Sequence, residues 1–237
     1  HSLVIPEATV RNASGETILS VSRLAWSAGE SAQTQRLSGN FLTGGRDLPQ
    51  INGRMDQGAD GRLALRLTMD EYAAGEDRIA VPSLLVREER GGEYSLSGSV
   101  RASGALPGGA VDSLVVPITG LFAERTGLRL GIVCSNIRFS ALAYSEASLA
   151  GHTMRACPAD GRAMLAYDEE LRLAIATDDL ELTGEIGDSR AYISASSAAL
   201  TYPGRFELEQ IEARFGEEGN VARLTSAAFN GRIGDQV

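Results

Sequence analysis

Apolar residues in this chain recur at every second position, and that period decides what it can fold into. In "GRLALRLTMDEY" Leu63, Leu65, Leu67 and Met69 alternate with Ala64, Arg66 and Thr68. Successive side chains of an extended strand point to opposite faces, so the row predicts a strand with one apolar face and one wet one. The period returns in Leu114, Val116 and Ile118, in Leu128, Leu130 and Ile132, in Leu171, Leu173 and Ile175, and in Leu180 with Leu182. Phe206 with Leu208 and then Ile211, Ala213 and Phe215 complete the series. Helix signals are sparse: the best, "PITGLFAERTGLRL", is interrupted by Gly120 and Gly127.

Turn clusters separate the rows, among them "GGRDLPQ", "DQGADGR", "AAGEDR", "ERGGE", "PADGR", "GDSR", "YPGR" and "GEEGN". Their spacing, roughly 12 to 25 residues, suits long antiparallel hairpins better than parallel βαβ units. Gly-Arg openings before apolar rows hint at a degenerate turn-plus-strand repeat without a fixed period. The nearest approach to a linker is "SGALPGGAV", Ser103 to Val111, and alternation resumes on both sides of it. The chain therefore reads as all-β, with one continuous domain over residues 1–237.

Composition narrows the chemistry. All 22 basic residues are Arg, so mechanisms that need a lysine are excluded. A net charge of -9 argues against nucleic acid, whose phosphates call for clustered cations. With 27 glycines against 6 Phe, 6 Tyr and 1 Trp, turns are many and bulky anchors few. No apolar run approaches the 18 or so residues of a membrane span, and "HSLVIPEATV" lacks the basic flank and apolar core of a signal peptide. An opening His without Met suggests a chain processed or cut from a longer one.

The densest chemistry is "CSNIRFSALAYSEASLAGHTMRAC", which holds both cysteines and the internal His152. Cys134, His152 and Cys157 are three ligands where a structural zinc site takes four, and no two are closely spaced, which argues against metal. A Cys-His nucleophile pair would need His152 to reach a thiol in space. If the segment is a hairpin, with Ile137, Phe139 and Leu142 on the outgoing arm and Leu149 to Met154 returning, the cysteines meet at its open end. A disulfide and a pair of buried free thiols both fit that placement. Elsewhere, "DQGADG" opens like a calcium loop but has Gly58 at a ligand position and Leu67 where an acid belongs. The acid clusters "YDEE", "TDDLE" and "GEEG" read as solvated charge, with a hydrolase drawing on Asp168 or Asp178 as the weakest of three readings. "SASSAAL" has no nucleophile-elbow context and reads as a small-residue strand face. The Asn12 sequon matters only in a glycosylating pathway. We expect no enzyme activity and no cofactor.

Several segments together resemble a known family: "LSGNFLTGGRDLPQINGRM", "GRLALRLTMDEYAAGEDRIAVPSLLV", "GSVRASGALPGGAVDSLVVPITG" and "CSNIRFSALAYSEASLAGHTMRACP" with the strands that follow. From about Arg36 onward the chain resembles the YdbH branch of the AsmA-like, bridge-type lipid transfer proteins of Gram-negative bacteria. The resemblance implies an elongated, mainly antiparallel, open U-shaped sheet with a hydrophobic concave face. It implies a periplasmic protein anchored in the inner membrane that passes phospholipid towards the outer membrane, with membrane-embedded partners at either end. The residues it assigns to groove lining are the rows above, Leu63 to Met69, Leu114 to Ile118, Leu128 to Ile132, Ile137, Phe139, Leu171 to Ile175, Leu180, Leu182, Phe206 and Leu208. In that oxidising setting Cys134 and Cys157 are expected to pair. At about 4.8 Å per strand, roughly fifteen strands span about 70 Å, which makes this a segment of a longer parent chain. The alternative is a structural or adhesive β-solenoid or sandwich in which the same rows close into a dry core.

Overall fold

The computed structural model describes residues 1–28, 35–58, 60–106, 108–217 and 219–233. Two of the expected turns, and the linker-like Ser103 to Val111, include residues 59, 218 and 107, which lie outside the described set. The described residues form sixteen strands. They are β1 (Ser2–Arg11), β2 (Thr17–Ser27), β3 (Arg36–Thr43), β4 (Ile51–Gln57), β5 (Leu63–Ala74), β6 (Asp77–Glu88), β7 (Tyr94–Leu106) and β8 (Gly109–Ala123). Then come β9 (Gly127–Leu130), β10 (Ser135–Tyr144), β11 (Ala147–Pro158), β12 (Leu165–Tyr167), β13 (Leu171–Ile186), β14 (Ser189–Tyr202), β15 (Gly204–Phe215) and β16 (Ala222–Ile233). All sixteen belong to one antiparallel sheet in the order β1-β2-β3-β4-β5-β6-β7-β8-β10-β11-β13-β14-β15-β16, with β9 and β12 beside that path. The all-β expectation holds. Two compact units, 1–100 with 121–124 and 101–120 with 125–237, are described in turn.

In the first unit each strand pairs with its neighbour in sequence, because short turns return the chain directly. β5 and β6 close through Gly75 and Glu76 between the paired Ala74 and Asp77. Gly75 sits at φ +68, in the left-handed region that a two-residue hairpin turn demands and glycine enters without a Cβ penalty. The apolar row of β5 is matched across both edges: Leu65 lies between Met55 and Val86, Leu67 between Gly53 and Leu84, and Met69 between Ile51 and Val81. A methyl group on Gly53 would overlap the Phe41 ring, so the glycine makes room for an aromatic that belongs to the same row.

In the second unit several long strands share one irregularity. Along β15 the less exposed residues are Phe206 and Leu208, then the exposed pair Glu209 and Gln210, then Ile211, Ala213 and Phe215, so the alternation slips by one residue. The same slip occurs at Asp112 and Ser113 in β8, Ser140 and Ala141 in β10, Ala150 and Gly151 in β11, and Asp178 and Asp179 in β13. Ser113, Asp179 and Gln210 have φ of 51, 52 and 49. A left-handed residue inside a strand redirects the side chains that follow, as a bulge does. The sequence slips in step, so the apolar residues keep the more covered positions on either side of the kink. In the first unit Asp70 and Glu71 mark the corresponding break on β5, and Pro82 and Ser83 mark it on β6.

This second unit also contains a fork. β8 and β13 are joined by two routes, one through β10 and β11 and one through β9 and β12. The inner route is a relay of backbone bonds: Gly131 N–H donates to Thr119 C=O at 2.6 Å, Met164 N–H to Gly131 C=O at 3.1 Å, and Ala174 N–H to Met164 C=O at 2.9 Å. Ala174 C=O accepts in turn from Ala159 N–H at 2.9 Å, so a single residue of β13 holds both arms. Gly131, at φ +65, is pressed against Met164, and a side chain there would overlap it. Ala156, Ala163 and Met164, three of the well-covered residues, gather at this fork.

The disulfide clasps the fork. β10 and β11 pair from Tyr144 and Ala147 at the turn to Ser135 and Ala156 at the open end. Cys134 and Cys157 come one step further, bonded to each other with Cα atoms 4.1 Å apart, and the described residues hold no free cysteine. Cys134 is exposed and Cys157 half-buried. The bond restrains a loop of about 24 residues, which stabilises by about 3 kcal/mol in the chain-entropy description. Replacing both cysteines by serine should lower unfolding stability by about that amount. Hydrogen exchange in β9 and β12 should then rise before that in β14 and β15. Unchanged exchange at the fork would show that the bond holds nothing there.

Candidate apolar binding face

The residues assigned to the candidate face all lie in or beside strands, and most are half-buried. Met69, Phe139 and Leu180 are the well-covered ones, at 8%, 9% and 9% exposure, whereas Leu171 is exposed. In the first unit the rows assemble as Phe41, Gly53, Leu67 and Leu84 on successive strands, with Met55, Leu65 and Val86 beside them. In the second, Ile137 faces Met154 and Phe139 faces His152, whose ring lies 6.5 Å away and tilted. His152 therefore packs as a partner of Phe139.

Two rows far apart in sequence are brought together by β12. Leu130 pairs with Leu165 and Leu165 with Leu173, while Leu128 pairs with Tyr167 and Tyr167 with Leu171. Ile132 lies beyond the end of β9. Further along, Ile175, Leu200 and Phe206 form one cross-strand row, Thr177, Ala198, Leu208 and Phe229 a second, and Leu182, Ile193 and Ala213 a third. The Phe206 and Phe229 rings are 5.6 Å apart, close enough for a favourable tilted aromatic contact. Sequence reasoning missed Leu84, Val86, Leu165, Ile193 and Leu200 as members of these rows. Pro82 and Ser83 obscure the period in β6, and runs of serine and alanine obscure it in β14.

What sets this face apart is how incompletely it is covered. Among the described residues no large side chain is fully buried, and half of the well-covered apolar residues are alanines. The accessible surface is 15649 Å². A compact globule of 25.0 kDa exposes about 10,000 Å², and two compact globules of half that mass expose about 12,000 Å² together. The excess remains even when each unit is treated as a separate body. No family model, curated protein or solved structure matches the chain.

Most charged groups keep to exposed positions, whereas Arg129 and Glu212 are half-buried. Asp168 accepts a hydrogen bond from Arg172, and that bond raises the arginine above its ordinary pKa. Among the described residues no three His, Cys, Asp or Glu side chains gather where they could hold a metal ion. Glu212 is the most engaged carboxylate: Arg214 Nε donates to it at 2.5 Å and Arg223 Nη2, from β16, at 2.6 Å. Those hydrogen bonds, first that of Arg214 and then that of Arg223, pull its pKa below the ordinary carboxylate value. A depressed folded-state pKa adds stability that is present at neutral pH and lost as pH falls through the folded value. Acidification well below the usual glutamate range, about 4.3, should therefore loosen β16 from β15. Amide exchange in β16 reports it, and Glu212→Gln should remove the pH dependence while leaving β13 and β14 unchanged.

Proposed function

We propose that the chain shelters phospholipid acyl chains along its apolar strand rows, as part of a longer periplasmic protein that conducts lipid between the inner and outer membranes. The observation that carries this reading is the half-covered state of the rows: strands rich in Leu, Ile, Phe and Met leave apolar side chains accessible across many neighbours. An acyl chain needs apolar surface and no specific polar partner, so the site requires no catalytic group and the lipid slides without a chemical step. Large contiguous apolar surfaces are rare on soluble monomers because they are costly in water, and a lipid occupant covering these rows removes that cost.

Two further points support it. The Cys134–Cys157 disulfide fits an oxidising compartment, of which the periplasm is one. The resemblance of the strand-and-turn segments to bridge-type lipid transfer proteins supplies the expected partners, phospholipid, the rest of the parent chain and membrane-embedded proteins at its ends. A closed sandwich would interleave two apolar faces and bury large side chains completely, and it is the poorer account of rows that stay half-exposed.

Native mass spectrometry of protein purified without detergent tests the reading. Phospholipid should accompany the chain, and Leu65→Glu or Leu173→Glu should reduce the amount retained while changing stability by no more than about 1 kcal/mol. A lipid-free protein would refute the conduit. Unfolding by several kcal/mol in either variant would refute it too, since that is the cost of an unpaired charge in a closed core.

A further inference from the structure

The wet face of the first unit carries an arrangement that the lipid reading does not use. Arg54 on β4 and Arg66 on β5 stand directly opposite each other in the β4–β5 register. They alternate with Met55 and Leu65, so they lie on the face opposite the apolar rows. Side chains at such positions start about 5 Å apart, and like charges placed there repel. The neighbouring strands extend the row: Asn40 faces Arg54, and Ser22 faces Asn40. A parallel row two residues on holds Ser20, Leu42, Asn52 and Thr68. Together these residues line a depression of about 470 Å³.

Most of these polar groups are uncommitted. Arg54 bonds Asp56 through Nε and Nη2, both at 3.3 Å, which steadies its guanidinium and leaves further N–H donors free. Arg66, Ser20, Ser22, Asn40, Asn52 and Thr68 make no side-chain hydrogen bond or ion pair with another described residue. Many other arginines of the chain, at positions 62, 172, 190, 205, 214 and 223, are each paired with a carboxylate. Two arginines at directly opposed strand positions, with amide and hydroxyl side chains on the same depression, offer forked N–H pairs to a tetrahedral oxyanion.

We propose that this depression is a binding site for a phosphate group, with Arg54 and Arg66 as its charged clamp and Asn40, Asn52 and Thr68 as its neutral contacts. The bound dianion turns the Arg–Arg repulsion into two attractive pairs. The overall charge of -9 does not cancel the site, since charges beyond about 10 Å are screened at 0.1 M salt. Of the acids nearby, Asp56 is held by Arg54, and Asp60 and Glu89 by Arg62.

Titration calorimetry with sodium phosphate at constant ionic strength tests it on the full chain. Saturable binding is expected, weakened about tenfold or more in Arg66→Gln, the loss of a charge-assisted pair. Arg66→Lys should recover part of it, and Arg101→Gln, outside the depression, should bind as the parent does. Phosphate should also raise the melting temperature of the parent chain and not that of Arg66→Gln. Arg66-dependent binding to phosphatidylglycerol vesicles as well would assign the phosphate to a lipid headgroup, and phosphate binding without it to a soluble phosphate compound. No saturable response, or an equal one in Arg66→Gln, overturns the site.

Discussion

Lateral hydrogen bonding is the constraint on which this structure depends. A strand in a two-layer fold is held from the side by its neighbours and from above by a packed core. Here the second contribution is thin: among the described residues no large side chain is fully buried, and the best-covered residues include five alanines. Cohesion must come from the ladders and from cross-strand pairs of side chains. The strands are accordingly long. β8, β13 and β14 run for 15, 16 and 14 residues, against five or six for an ordinary strand. Each extra ladder position adds backbone bonding and a cross-strand side-chain pair.

Long strands bring a difficulty of their own, since a sheet this wide twists and a straight strand cannot follow it indefinitely. The kinks answer that. Left-handed residues at Ser113, Asp179 and Gln210 fall inside strands, without a change of register between β13 and β14 or between β14 and β15. Polar residues fill the breaks in β8, β13 and β15, where an exposed pair of positions opens, and the small Ala150 and Gly151 fill the one in β11. Chemistry and geometry agree here: Asp178 and Asp179, or Glu209 and Gln210, would be costly in an uninterrupted apolar row and are harmless at a point where two successive residues face water.

Much of this was legible in the residues. The two-residue period identified the strands, and the hairpin from Ile137 to Met154 placed the cysteines together, because a hairpin's register follows from its turn. What could not be read was which rows share a strand. Leu171 to Ile175 and Leu180 with Leu182 look like separate elements, yet both belong to β13. The junction is made by aspartates in place of glycine or proline, so it carries no turn signal. β12, three residues long, has too few positions to show a period, although it alone joins Leu130 to Leu173. The opposition of Arg54 and Arg66 is likewise a fact of register, set by the length of the loop between β4 and β5 and marked by no apolar period.

The fork shows why the disulfide stands where it does. Over most of its length the sheet has one way across, and losing a pairing at one place leaves both neighbours attached elsewhere along their ladders. Between β8 and β13 there are two ways, and the strands of the inner one are only four and three residues long. Such short strands bring few ladder bonds and depend on packing, which is supplied by Met164 against Gly131 and by Ala156 and Ala163. Ala156 stands at the open end of the β10–β11 hairpin, and β11 pairs with β13 near its two ends, through Ala147 to Leu149 and through Cys157 and Pro158. A covalent bond at Cys157 therefore acts on three pairings at once: the hairpin's own, the end of the β11–β13 ladder, and the inner route beneath them.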